Sequence, residues 1–241
     1  MENRFGFVIG FVMLATVSWC QTKPTPSTPP NRTATAASGA TASADPTAII
    51  DTTVGKMTCT LFPKQAPIGV ANFIGLATGT KDWTNPVTHA NKHGVPLYDG
   101  TIFHRVIPEF MIQGGDPSGT GMGDGGYKFK NETSPDLQFD RPGRMAYANS
   151  GPDTNGSQFF ITEGPYPSLN GGYTIFGQCD QASVELVKQI ARMGRDSRDK
   201  PYRPVKINHI TISKADATPK AATPAAKKPA TAKPAQKTAP Q

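Results

Sequence analysis

Short runs of alternating apolar and polar residues dominate the chain between residues 47 and 214. Such alternation is typical of half-buried β-strands. Two of these runs, residues 47–53 and 56–62, are joined at Val54-Gly55, and this arrangement predicts a β-hairpin. Six further runs predict strands at residues 101–107, 109–115, 143–149, 157–163, 173–179 and 205–213.

Helical spacing of apolar residues occurs in two places only. The first helix is predicted from Ala66 onwards, with Pro67 suited to its first turn and Gly79 to its end. The second is predicted at residues 183–193, and residues 80–100 are predicted to form a long loop. Eight short strands with two helices do not fit a doubly wound α/β sheet. The predicted fold is therefore mainly β, a closed eight-stranded antiparallel barrel capped by two α-helices.

Composition separates this predicted domain from its flanks. Of the 241 residues, the segment 21–46 consists almost entirely of Pro, Ser, Thr, Ala and Gly, and residues 215–241 consist mainly of Ala, Pro, Lys and Thr. Neither segment has large apolar side chains that could offset the entropy of ordering it. We therefore predict a disordered linker at 21–46, a compact domain at 47–214 and a disordered tail at 215–241.

The net charge of +7 lies largely outside the predicted domain. Residues 47–214 carry 17 Lys and Arg against 15 Asp and Glu, whereas residues 215–241 carry five Lys and one Asp. We expect no nucleic-acid partner. The tail has two interpretations, a solvated, solubilising segment, which we prefer, or a segment that docks on an anionic polymer or a membrane surface.

The first 20 residues are typical of an export signal. An apolar run from Phe5 to Trp19 is short for a membrane span and fits the apolar part of a signal peptide. Cys20 ends the run, and the segment VSWC is similar to a bacterial lipoprotein signal, although Trp19 is bulkier than such signals use. Lipidation at Cys20, an ordinary signal peptide and an uncleaved short anchor remain as alternatives. The predicted location is the periplasm, or the cell envelope through a membrane tether at the N-terminus.

The predicted domain contains two cysteines, Cys59 and Cys179, each in an apolar, strand-like run. Two buried free thiols are the default interpretation. In an exported protein they could instead form a disulfide, provided that the fold brings them close together. The sequence leaves both alternatives open.

Three motifs lack the context that their chemistry needs. Residues 121–126, GMGDGG, satisfy G-x-G-x-x-G, but no helix pattern follows, so we interpret them as a flexible surface loop rather than a cofactor site. His89 and His93 have a metal-compatible spacing, but no nearby acid or cysteine completes a ligand set, and no metal site is predicted. Ser157 lacks the G-x-S-x-G setting of a nucleophile.

Arg105 is the candidate that carries chemistry. A surface ion pair is the commonest fate of an arginine, but large apolar residues such as Phe103 and Phe110 flank this one, which indicates the wall of a cleft. The adjacent His104 must leave the face that holds Arg105, because neighbouring residues on a strand point to opposite sides. We therefore expect His104 to be packed or hydrogen-bonded rather than a catalytic base.

Two segments of the chain resemble a known family. Residues 103–116, FHRVIPEFMIQGGD, and 148–160, ANSGPDTNGSQFF, look like the signature segments of the cyclophilins, the peptidyl-prolyl cis-trans isomerases. The similarity extends from about Thr47 to Ser213 and includes GGYTIFGQC at 171–179. It implies an exported bacterial isomerase that needs no cofactor and accelerates rotation about X–Pro bonds while proteins fold in the cell envelope. The partners would be proline-containing polypeptides, and we expect a monomer.

The resemblance also implies roles for individual residues. Arg105 would be the catalytic arginine. Substrate would be bound by Phe110, Met111, Phe160 and Leu169 in a proline pocket, by Gln113, Ala148, Asn149 and Gln158 along the backbone, and by Tyr173. Many eukaryotic members have a Trp where this chain has Ser168, and that Trp contributes to cyclosporin binding. A second hypothesis is a non-catalytic binding module or chaperone for proline-containing chains, which would have no chemical need for the arginine.

Overall fold

The computed structural model describes residues 45–213. The predicted export signal at 1–20 with Cys20, nearly all of the linker at 21–46 and the tail at 215–241 lie outside the described residues, and those interpretations stay predictions. Within the described residues, no helix is long and apolar enough to cross a membrane.

The described residues form one antiparallel sheet of eight strands, a separate two-stranded hairpin, two α-helices and a short 3-10 helix at Pro167–Leu169. In chain order these elements are β1 (Thr47–Thr52), β2 (Gly55–Leu61), α1 (Pro67–Thr78), β3 (Trp83–Thr84), β4 (Asn91–Lys92), β5 (Arg105–Ile107), β6 (Met111–Gly114), β7 (Arg144–Tyr147), β8 (Phe159–Thr162), β9 (Ile175–Cys179), α2 (Gln181–Ala191) and β10 (Ile207–Ser213). The strand order in the sheet is β10-β1-β2-β9-β7-β8-β6-β5. The short pair β3–β4 lies within residues 80–100, so the expectation of a plain loop there is wrong in this detail.

Both helix starts receive hydrogen-bond acceptors, although by different routes. Ala66 precedes α1 and has no side-chain acceptor that could cap the helix. The carboxylate of Glu132 takes this role and accepts from the backbone N–H groups of Ile68 and Gly69 at 3.0 and 2.7 Å. An acidic group at this position also interacts favourably with the helix dipole. Asp180 caps α2 locally by accepting from the backbone N–H of Ser183 at 2.8 Å.

Strands β6 to β9 are buried on both faces, and alternate residues divide between two apolar clusters. The inner cluster surrounds Phe73 on α1, whose ring centroid lies 5.1, 5.6 and 5.2 Å from those of Tyr98, Phe159 and Phe176. The outer cluster lies on the other face of these strands and comprises Met111, Phe139, Ala146, Phe160 and Ile175. Because side chains alternate along a strand, Phe159 joins the inner cluster and its neighbour Phe160 the outer one.

The prediction of a closed barrel is wrong, because β5 and β10 are the edges of an open, half-barrel sheet. Between them run an isolated bridge from Ile102 to Lys206 and three backbone hydrogen bonds, which the N–H groups of Gly100, Phe103 and Ile207 donate to the carbonyls of Ile207, Val205 and Thr101. Beyond this bridge the chain changes partners. β5 begins at Arg105, where it pairs with β6, and the N–H of Val106 donates to the carbonyl of Asp199.

The two cysteines of the domain face each other across the β2–β9 pair and form a disulfide. Both are buried, with 0 % and 3 % of their surface exposed. The default interpretation of two free thiols is therefore wrong. The alternative, a disulfide, is correct because the register of β2 and β9 places the two cysteines opposite each other.

Candidate active site

Two residues of the outer cluster, Met111 and Phe160, form part of the floor of an open cavity of about 340 Å³. Nine of the ten residues predicted from the sequence line it: Arg105, Phe110, Met111, Gln113, Ala148, Asn149, Phe160, Leu169 and Tyr173. The tenth, Gln158, does not line this cavity but bonds to Gln113. The structure thus brings together residues that are up to 68 positions apart in the chain, from Arg105 to Tyr173.

Arg105 stands at the rim of this cavity with 44 % of its side chain exposed. It pairs with Gln113 across the β5–β6 ladder, and its Nη1 lies 3.4 Å from the Oε1 of that residue. On the other side, its Nε lies 3.9 Å from the Oδ2 of Asp199. Both contacts are long for a charge-assisted bond, so the guanidinium retains N–H groups for a further acceptor.

The orientation of two amides determines what Arg105 faces. The Nε2 of Gln158 donates to the carbonyls of Gly121 and Gly123 at 3.0 and 2.7 Å. Its Oε1 is then left to accept from the Nε2 of Gln113, at 2.9 Å. Gln113 consequently turns its own oxygen, the end that accepts a hydrogen bond, toward the arginine.

The aromatic floor is held by ring packing. Phe160 stacks on Phe139 with ring centroids 5.9 Å apart, and Tyr173 meets Phe160 edge-on at 5.5 Å. At the polar end, the Nδ2 of Asn149 donates to the carbonyl of Gly172 at 2.9 Å. The cavity therefore combines a flat apolar surface with backbone-anchored amides around one cation.

The glycine-rich segment at 121–126 is anchored rather than flexible. The carboxylate of the fully buried Asp116 accepts from the backbone N–H groups of Gly121 and Gly123, at 2.6 and 3.1 Å, and from both the N–H and the hydroxyl of Ser118. Burial disfavours the ionised form, but these hydrogen bonds outweigh it and lower the pKa of Asp116 below its ordinary value. The loop carbonyls that orient Gln158 are positioned by this buried carboxylate.

Ser157 and His104 take no part in the cavity. The hydroxyl of Ser157 is buried and donates to the carbonyl of Gly115 at 2.7 Å. His104 is packed as expected, with 5 % of its surface exposed, yet neither ring nitrogen has a hydrogen-bond partner within residues 45–213.

Comparisons with known proteins agree with this arrangement. Residues 47–212 match the sequence model of the family described as cyclophilin type peptidyl-prolyl cis-trans isomerase/CLD. The chain belongs to the cyclophilin family. It is 52% identical over 168 residues to peptidyl-prolyl cis-trans isomerase A of Mycobacterium tuberculosis, an alignment that covers 69% of this chain and 92% of the relative. It is 47% identical over 167 residues to peptidyl-prolyl cis-trans isomerase B of Streptomyces anulatus, covering 68% of this chain and 95% of the relative.

A solved structure is similar to this cyclophilin as well. The Cryptosporidium parvum cyclophilin type isomerase, crystallised in the presence of the dipeptide Ala-Pro, is 34% identical with a TM-score of 0.59, and the match covers 69% of this chain and 98% of that one. Family, relatives and fold agree, and the protein is a peptidyl-prolyl cis-trans isomerase.

Sequence reasoning missed several residues that position the site of this cyclophilin. Glu163 is buried, accepts from the N–H of Glu109 at 2.9 Å and pairs with Arg192 at 2.7 Å. It holds the turn in which Glu109 has a φ of 60°, and this turn presents Phe110. Asp199, beside Arg105, was also missed. These acids lie 54 and 94 positions from the residues they support, so no local pattern marks them.

Proposed function

We propose that this isomerase acts on X–Pro bonds through Arg105 as its single catalytic group. Resonance gives the peptide C–N bond partial double-bond character and a rotation barrier of about 18–20 kcal/mol. When the bond is twisted, the prolyl nitrogen becomes pyramidal and regains a lone pair. A guanidinium N–H binds this nitrogen better than it binds the planar amide, so it lowers the barrier without a covalent intermediate.

The position of Arg105 supports this role. It lies beside the apolar floor, holds only long contacts to Gln113 and Asp199, and stays charged at any physiological pH. A proline ring on Phe160 and Met111 would place its nitrogen toward this rim. The amides of Gln113 and Asn149 would hold the flanking backbone, so that one side of the bond rotates against the other.

Replacement of Arg105 tests the mechanism. We expect Arg105→Ala to fold normally and to lose at least ~10²-fold in kcat/KM, the scale for removing one preorganised donor. NMR exchange spectroscopy on an Ala-Pro peptide measures the rate. The matched control is Arg141→Ala, which removes an exposed arginine that pairs with Asp140 and lines none of the cavity. Near-wild-type rates for folded Arg105→Ala would refute the mechanism, whereas peptide binding without turnover by the wild type would favour a site that only binds proline-containing chains.

We further propose that the protein is exported and serves proline-containing polypeptides of the cell envelope. Two features support this proposal, the apolar run from Phe5 to Trp19 and the Cys59–Cys179 disulfide, since disulfides persist mainly in oxidising compartments. Cys20 would be the lipidation site and the membrane tether. Mass spectrometry of the mature N-terminus distinguishes a lipidated Cys20, cleavage elsewhere and an uncleaved chain, and recovery of the intact chain from the cytoplasm would contradict export.

We also propose that the isomerase works as a monomer, because one chain already supplies the cation, the amides and the apolar floor that the mechanism needs. Light scattering coupled to size-exclusion chromatography tests this, and a stable dimer would contradict it.

A further inference from the structure

A second cavity, of about 370 Å³, adjoins the first and shares Arg105 and Gln113 with it. Its remaining walls come from other parts of the chain, among them His104, Arg198 and Lys200. An extended polypeptide advances about 3.3–3.6 Å per residue. A chain bound with its proline in the first cavity therefore reaches the second within a few residues.

The second cavity, which we call the basic cavity, is lined by three cations and no carboxylate. These cations are Arg105, Arg198 and Lys200. Lys200 donates its Nζ to the carbonyl of Gly119 at 3.0 Å, and the side chain of Arg198 has no hydrogen-bond or ion-pair partner within the described residues. Both side chains are exposed and solvated, and an anion bound between them would gain a favourable interaction with two positive charges.

The acids of the same loop are engaged elsewhere. Asp199 directs its carboxylate to the Nε of Arg195 at 3.0 Å and to the Nε of Arg105 at 3.9 Å. Asp196 accepts from the backbone N–H groups of Arg198 and Lys200 at 2.8 and 2.9 Å. Neither carboxylate lines the basic cavity, although Asp199 lies 3.9 Å from Arg105 and Asp196 interacts electrostatically with Arg198 and Lys200, so the two acids offset only part of its positive charge.

His104 provides an independent sign of a ligand. It lines the basic cavity, is 5 % exposed and leaves both ring nitrogens without a partner within residues 45–213. A buried polar group without a partner costs about 1–3 kcal/mol, and native proteins rarely keep one without a reason. Burial lowers the pKa of His104, against the opposing charge of Asp116, so the neutral ring has one N–H to donate. Both ring nitrogens are shielded from solvent in this conformation, so a ligand oxygen in the cavity would satisfy that group once the ring turns toward it.

We propose that the basic cavity is a subsite for the carboxylate side chain of an Asp or Glu in the polypeptide substrate, a few residues from its proline. Arg198 and Lys200 supply the charge, and His104 and the rim of Arg105 supply donors. The inference rests on the proposed function, because the subsite matters only when an X–Pro bond occupies the first cavity. It makes this isomerase selective for acidic prolyl segments.

A peptide scan tests the subsite. Each peptide carries one Ala-Pro bond and a single Glu, or Gln as its neutral counterpart, at one of three positions on either side, with acetylated and amidated ends so that the side chain is the only carboxylate. We expect kcat/KM to favour Glu over Gln by about fivefold at one position at low ionic strength, and the preference to fall with added salt. In the double variant Arg198→Gln with Lys200→Gln, the ratio of Glu to Gln should fall to about 1.

The control removes two positive charges outside the cavities. Lys56→Gln with Lys64→Gln changes residues that line neither the first nor the basic cavity, and it should keep the wild-type ratio and the wild-type rate. A ratio near 1 at every position in the wild type overturns the subsite. Equal loss of the ratio in both double variants overturns it as well, because the preference would then reflect net charge alone.

The scan separates this inference from the proposed function. Turnover of the neutral peptides by the wild type supports the isomerase mechanism whatever the ratio is. If no peptide is turned over, the proposed mechanism fails, and the subsite is decided by the dissociation constants of the Glu and Gln peptides from NMR titration. Equal constants would then refute it.

Discussion

Gln158 determines the direction of the hydrogen bonds that end at Arg105. Its Nε2 is committed to the carbonyls of Gly121 and Gly123, so its oxygen must receive the Nε2 of Gln113. Gln113 then presents an acceptor to Arg105 rather than a donor that would repel it. The side-chain amide of Gln158 is thus linked to Arg105 through two hydrogen bonds. It aligns the guanidinium without contacting it directly.

Removal of that amide should disturb the alignment. We expect Gln158→Leu to lower kcat/KM about tenfold and the free energy of unfolding by about 1–3 kcal/mol, because two loop carbonyls and Gln113 lose their partner. Peptide isomerisation and urea denaturation measure the two effects. Gln181→Leu, on the exposed start of α2, is the control. Full activity in Gln158→Leu would show that Arg105 needs no such alignment.

The loop between β6 and β7 depends on one buried acid. Asp116 holds the glycine-rich segment by backbone hydrogen bonds, and this segment in turn orients Gln158. Because the pKa of folded Asp116 lies below its ordinary value of 3.8, ionisation stabilises the fold. That stabilisation is complete above the ordinary value and is lost as the pH falls through the folded pKa.

Asp116→Asn should therefore destabilise the protein more at neutral than at acid pH. The variant loses the charge and points amide hydrogens at backbone N–H groups that themselves need an acceptor. We expect the difference in unfolding free energy between wild type and variant to be about 1–3 kcal/mol at pH 7 and to narrow below pH 4. Urea titrations at both pH values measure it, and a difference independent of pH would contradict the assigned role.

One covalent link ties distant parts of the sheet together. Cys59 on β2 and Cys179 on β9 are 120 positions apart, and their bond closes a long loop in the unfolded chain. A crosslink over such a length stabilises a fold mainly by restricting the unfolded state. It joins adjacent strands away from the cavity, and neither cysteine lines that cavity.

Replacement of both cysteines should lower stability and leave chemistry intact. We expect Cys59→Ala with Cys179→Ala to lose about 2–5 kcal/mol of unfolding free energy and to keep the wild-type kcat/KM at 25 °C. Calorimetry and the peptide assay measure these effects. Reaction of both Cys59 and Cys179 with a thiol reagent, in denaturant and without reductant, would show instead that the purified wild type carries no disulfide.

Much of the fold follows from local pattern. Alternation along residues 47–53 and 56–62 predicts the β1–β2 hairpin, and helical spacing after Pro67 predicts α1. The same reasoning predicts that β5 begins at residue 101, because apolar and polar residues alternate from Thr101 to Ile107. It fails there because residues 101–103 meet residues 205–207, about a hundred positions later, through one isolated bridge rather than a continuous ladder.

The residues of the site also fall into two groups, those that the sequence indicates and those that only the structure reveals. Seven of the nine residues that line the cavity lie in the two motifs around Arg105 and Asn149, and the other two, Leu169 and Tyr173, were expected from the family resemblance. The supports do not show in sequence: Glu163, Asp199 and the carboxylate of Glu132 act on groups far away along the chain.

From its residues alone, this chain specifies a β-rich domain and a pocket with one cation, since side-chain period and composition act over a few neighbouring positions. Folding in three dimensions decides the open edge of the sheet, the pairing of the cysteines and the meeting of His104 with Arg198 and Lys200. Those outcomes depend on register between strands and loops that are remote in sequence, and register is set by the packing of the complete core.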